Sequence, residues 1–134
     1  MLRDAIRVLV IDPWNEIERA RRRDETTTDY IGRCIRALKR FARLYDVVVI
    51  IVAHPTKEVG RNGESRPPTL YDVEGSAHWF NKPDHGIIID RPNPDADEGV
   101  IRVAKVRFEE TGEKGVVRMR FDRASARFLL LDDT

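Results

Sequence analysis

The chain has 134 residues, one domain's worth, with 41% hydrophobic residues and 35% charged ones. Its formal net charge is only +1, so overall charge selects no partner, although arginine dominates the cations and clusters locally. One cysteine, Cys34, excludes an internal disulfide framework, and no apolar run approaches the roughly 20 residues of a membrane span. With no signal-peptide pattern at its start, the chain is expected in a reducing compartment, the cytoplasm or an organelle matrix, away from membranes.

In chain order, residues 6–11, "IRVLVI", read as a strand buried on both faces, as in a parallel sheet. Residues 13–27 are polar, carry Arg21, Arg22 and Arg23, and read as a loop or a short frayed helix. Thr28 or Asp29 is a candidate cap for a helix running to Tyr45. Ile31, Cys34, Ile35, Leu38, Phe41, Ala42 and Tyr45 make its apolar stripe. Arg33, Arg36, Arg40 and Arg43 make a basic stripe. Cys34 belongs to the apolar stripe, so it reads as a small buried hydrophobe.

Residues 47–53, "VVVIIVA", form the strongest strand and end on His54 and Pro55. The polar stretch 56–68, "TKEVGRNGESRPP", is long enough to be a functional loop. Residues 69–85 read as short helical turns, and "GIII", 86–89, as a third buried strand ending on Asp90. Segments 100–108, 115–121 and 127–131 alternate apolar and charged residues, with "EETGEKG" as a hairpin-like connection. The fold class is therefore α/β with a mixed sheet: parallel buried strands first, antiparallel strands after.

Three strands end in polar residues: Asp12, His54 and Asp90. Ligands of open parallel sheets bind at the carboxyl ends of the strands. An acid after an apolar strand holds magnesium, usually through water, beside nucleotide phosphates. The competing reading of Asp12 is an Asp-Pro turn. His54 either donates to a terminal phosphate or is a partly buried histidine satisfied by backbone. Lys105 and Arg107, two apart on one strand, share a face. They are either an edge-strand guard against aggregation or a pair facing a phosphate. Lys57, Arg61 and Arg66 lie in a polar connection where nucleic-acid phosphates are one partner and solvent the other.

Four segments, "RVLVIDPWNEI", "VVIIVAHPTK", "YDVEGSAHWFNKPDHGIII" and "VAKVRFEETGEKG", occur in an order and spacing that resembles the C-terminal part of a RecA-like ATPase core. The type is the hexameric DnaB-like replicative helicase, with phage primase-helicases and Twinkle helicases most similar. The resemblance covers residues 6–122. It implies Asp12 as the Walker-B acid and magnesium site, and His54 as the phosphate sensor. Arg107 is implied as an arginine finger acting on a neighbouring subunit's nucleotide, with Lys105 beside it. It implies a DNA channel touched by Lys57, Arg61 and Arg66, with Gly75 and Ser76 in a channel-side motif. Lys82 alone keeps the charge that relatives often carry after Gly-Ser, because Phe80 and Asn81 stand in the neighbouring positions.

The same resemblance implies Mg2+ and ATP (or another NTP) as cofactors. It implies single-stranded DNA and neighbouring subunits of a homo-hexamer as partners. The phosphate-cradling GxxxxGK[ST] does not occur in these 134 residues. It is expected upstream, as is the catalytic glutamate. Residues 1–134 are thus expected to be a single domain, the C-terminal portion of a helicase ATPase domain, inactive alone. Two other classes compete. One is a non-catalytic module that binds single-stranded DNA or docks on a helicase. The other is a metal-dependent hydrolase using Asp12, His54 and Asp90 with His78 and His85.

Overall fold

A computed structural model describes residues 6–17, 20–56, 66–74, 77–93 and 95–131. Strand β1 (Val8–Ile11) leads through a single turn of 3-10 helix (Trp14–Glu16) to the long helix α1 (Thr27–Tyr45). Strand β2 (Val48–Ile51), a 3-10 turn (Leu70–Asp72) and the short helix α2 (Ala77–Asn81) follow. Strands β3 (His85–Asp90), β4 (Glu98–Val106), β5 (Gly115–Asp122) and β6 (Arg127–Leu130) close the chain.

The cap of α1 lies at Thr26, ahead of the expected Thr28 or Asp29. Its hydroxyl oxygen accepts the Asp29 N–H at 3.1 Å and donates to Asp29 Oδ2 at 2.7 Å. Three successive threonines leave the start ambiguous, and Asp29 chooses among them by reaching back three residues. At the other end Asp46 takes a left-handed conformation (φ 52°, ψ 51°), and the Val47 N–H closes on the Ala42 carbonyl at 2.9 Å. That turn sends the chain straight into β2.

β1 and β2 pair in parallel, Val8 opposite Val48 and Ile11 opposite Ile51. β3–β4–β5–β6 form an antiparallel sheet in chain order. Among the described residues these are two sheets, where one mixed sheet was expected. Nor are the first three strands buried on both faces. Alternate residues of β1 and β2 are open, with Val10 55% and Val48 59% exposed, and Ile89 of β3 is 71% exposed. An unbroken apolar run signals two faces fit for burial, and among the described residues only one face is covered.

The core gathers where the parallel pair meets the helices. Trp14, Tyr30, Ile31, Ile35 and Trp79 are buried together, and Cys34, Leu38, Ile51, Ala53 and Val73 pack against them. Trp14 and Trp79 meet edge to face at 5.4 Å, and Tyr30 lies 6.3 Å from Trp14. The indole N–H of Trp79 donates to the Glu74 carbonyl at 2.7 Å, so its burial leaves no donor unmet. Gly32 brings α1 and His78 close: a Cβ at that position would lie 2.7 Å from the His78 ring, which would have to shift.

Two predictions follow from this packing. Trp14→Ala should cost about 3–5 kcal/mol, read from urea unfolding followed by tryptophan fluorescence. Ahead of α1, the hydrogen bond from Arg33 holds the Glu25 carboxyl down from 4.5 to about 2. A depressed carboxyl stabilises fully above 4.5 and loses that contribution as pH falls through about 2. Arg33→Ala should therefore return the Glu25 titration toward 4.5 in a carbonyl-carbon NMR experiment.

Candidate functional site

The carboxyl end of the parallel pair is fastened by main-chain and side-chain bonds. The Val52 N–H donates to the Ile11 carbonyl at 2.8 Å, and the Trp14 N–H returns to the Val52 carbonyl at 2.7 Å. The His54 N–H donates to Asn15 Oδ1 at 3.0 Å. Asp12, joined to Pro13 by a cis peptide bond, and His54 are both exposed at this end. An exposed carboxylate at a strand end suits a magnesium ion that keeps most of its waters. Asn15 was not singled out from the sequence. The only signal was an amide three residues past the strand-ending acid.

A second group forms at the carbonyl end of α2. The first four N–H and last four C=O groups of a helix have no partner within it. Here side-chain cations from other elements supply partners at the carbonyl end. Lys105 Nζ donates to the Phe80 carbonyl and, at 3.1 Å, to that of Asn81. Arg107 Nη2 donates to the carbonyls of Asn81 at 2.8 Å and Lys82 at 3.3 Å. Lys39 Nζ, from α1, donates to the Lys82 carbonyl at 2.9 Å and to Asp84 Oδ1 at 2.8 Å. Arg107 Nη1 lies 3.1 Å from the same Asp84 oxygen. The shared face expected of Lys105 and Arg107 is present, since both reach the Asn81 carbonyl.

Two cations, Lys39 and Arg107, thus share one carboxylate oxygen, with Lys105 beside them on the helix carbonyls. Burial alone would push the Asp84 carboxyl up, but the hydrogen bond and charge of Lys39, with Arg107 and His85, hold it below the usual range. Lys105 is drawn down, first by burial and then by the charges of Arg107 and Lys39, with Asp84 opposing. Lys105 Nζ also lies 5.4 Å from the Phe80 ring centre, and that ring stacks on Tyr71 at 4.6 Å. Neither Lys39 nor Asp84 was a candidate in the sequence: Lys39 lies outside the basic stripe of the helix, and Asp84 falls in residues 69–85, read as short helical turns.

The expected DNA contacts divide. Arg66 is held by both oxygens of Asp72, whose carboxyl it keeps far below the usual range, in a turn capped by Thr69. Lys82 contributes its carbonyl to the cation group. Lys57, Arg61, Gly75 and Ser76 lie outside the described residues. Among the described residues no group of three or more His, Cys, Asp or Glu is placed to hold a metal ion. His78 packs against Gly32, and His85 Nε2 lies 3.1 Å from Thr111 Oγ1. The metal-hydrolase constellation is therefore not assembled. Nor is any described helix long and apolar enough to cross a membrane.

The Asn15 bond fixes the chain after β2, so Asn15→Ala should speed amide hydrogen exchange at His54. It should cost about 1 kcal/mol in urea unfolding. Unchanged His54 exchange would show that the strand ends hold without it.

No protein-family model matches the chain. Over 133 residues it is 38% identical to the Twinkle homolog protein, chloroplastic/mitochondrial, of Arabidopsis thaliana, which spans 96% of this chain and 18% of that protein. Its fold superposes on a DnaB-like replicative helicase, from a structure of that helicase and its interactions with primase. The TM-score is 0.76 at 25% identity, covering 93% of this chain and 31% of the helicase. The α/β architecture, a parallel pair followed by antiparallel strands, is thus RecA-like. In sequence and fold the chain matches a segment of the DnaB/Twinkle-like replicative helicases.

Proposed function

We propose that these residues form the C-terminal portion of the ATPase domain of a hexameric, NTP-driven DNA helicase. In this reading Asp12 holds Mg2+ through water beside the phosphates of ATP or another NTP. His54 donates a hydrogen bond to the terminal phosphate and registers its loss. Arg107, with Lys105, reaches the nucleotide of the neighbouring subunit. Lys57, Arg61, Arg66, Gly75, Ser76 and Lys82 face single-stranded DNA.

One observation carries the reading: Lys39 and Arg107 converge on one carboxylate, Asp84, and Arg107 shares the Asn81 carbonyl with Lys105. Helix carbonyls satisfy part of this charge but do not neutralise it. Arriving phosphate oxygens relieve the repulsion that Lys105 feels from Arg107 and Lys39. A guanidinium suits that task, because its planar fork matches phosphate oxygens and it stays charged. The chemistry of phosphoryl transfer is largely charge compensation, which is what such cations supply.

These 134 residues contain no GxxxxGK[ST]. The purified 134-residue chain is therefore expected to show no NTP turnover. Measurable phosphate release by it would contradict the division of labour proposed. In the full-length protein, Arg107→Ala should lower kcat by about 10³-fold or more. A non-catalytic module would instead bind single-stranded DNA with a steep salt dependence and no response to NTP.

A further inference from the structure

We propose that Asp84 is a positioning residue for Arg107, with Lys39 as its anchor on α1. The inference rests on the helicase reading and adds a residue to it. Asp84 precedes β3 and Arg107 follows β4. His85 pairs with Val106, so the two residues face each other one rung beyond the ladder. Asp84 holds Arg107 twice. Its backbone carbonyl accepts the Arg107 N–H at 2.9 Å, and its carboxylate Oδ1 lies 3.1 Å from Arg107 Nη1. That oxygen also accepts from Lys39 at 2.8 Å, and Lys39 binds the Lys82 carbonyl, which accepts from Arg107 as well. The guanidinium is therefore held by the helix-end carbonyls and by the Asp84 carboxylate, which Lys39 of α1 anchors in turn.

This network contributes little to folding. Side-chain exposures of 24% for Lys39, 34% for Arg107 and 44% for Asp84 leave each pair largely screened by water. Its consequence is geometric. A long flexible side chain that must meet a phosphate across a subunit boundary gains from being held in one place beforehand. A misplacement of about 1 Å at a reacting centre costs on the order of 10²-fold in rate.

Asp84 has a second conceivable effect, opposite in sign. Its negative charge competes with an incoming phosphate for Arg107. The two effects separate cleanly on substitution. If positioning dominates, Asp84→Asn in the full-length protein lowers kcat about 10- to 100-fold, with KM within about 2-fold and the melting temperature nearly unchanged. Asp84→Glu recovers part of the loss, and Lys39→Gln shows a smaller loss of the same kind. Because Asp84 acts through Arg107, adding Asp84→Asn to Arg107→Ala produces no further fall.

An Asp84→Asn protein with wild-type or raised kcat, beside an inactive Arg107→Ala, overturns the positioning role alone. Independent, multiplying losses in the double variant do the same. Wild-type kcat in Arg107→Ala, or no turnover in the unsubstituted full-length protein, overturns the arginine-finger reading and this inference with it.

Discussion

The carbonyl end of one five-residue helix collects cations from two other elements. Lys39 arrives from α1, Lys105 from β4 and Arg107 from just beyond it, and they meet the last residues of α2, Phe80 and Asn81, or Lys82 just after it. A helix end with unmet carbonyls is a concentrated patch of negative partial charge. It lets positive side chains approach one another more closely than they would in water. Asp84 adds one full negative charge, which holds Lys39 and Arg107 together without cancelling the group. At this point side chains that lead into and out of the antiparallel sheet meet the helical part of the chain.

The same helix reaches the other candidate site. Trp79 of α2 packs edge to face on Trp14, which follows Asp12 by two residues and is bonded through its N–H to the Val52 carbonyl. Asn15 then holds His54. A path of direct contacts therefore runs from the ends of β1 and β2, through the indole pair, to the helix whose carbonyls hold Lys105 and Arg107. In the helicase reading, the side that senses a subunit's own nucleotide and the side that reaches the neighbour's are braced against one small helix.

Much of this was legible in the sequence, and the failures have physical causes. The period of α1 and the apolar runs of β1 and β2 located those elements to within two residues. The alternation "VAKVRF" put Lys105 and Arg107 on one face. Alternation cannot say what that face meets, and the carbonyls of α2 lie some 25 residues away in sequence. Asp84 and Asn15 were passed over because each lies in a stretch read only as helical turns or as a polar loop, and nothing next to either marks a role. Their roles come from partners distant in sequence, Lys39 and Arg107 for one and His54 for the other. The open faces of β1, β2 and β3 could not be foreseen either, since an apolar strand has the same sequence whether one or both faces are covered.

The central claim is that Arg107 is a preset cation for a neighbouring subunit's nucleotide. A structure of the full-length protein with a magnesium-bound transition-state analogue of the terminal phosphate tests it most directly. The account predicts Arg107 nitrogens about 3 Å from the analogue held by the adjacent subunit, with the Asp84 contact kept. An analogue held without Arg107, which remains on the carbonyls of Asn81 and Lys82 and away from any subunit boundary, would contradict it.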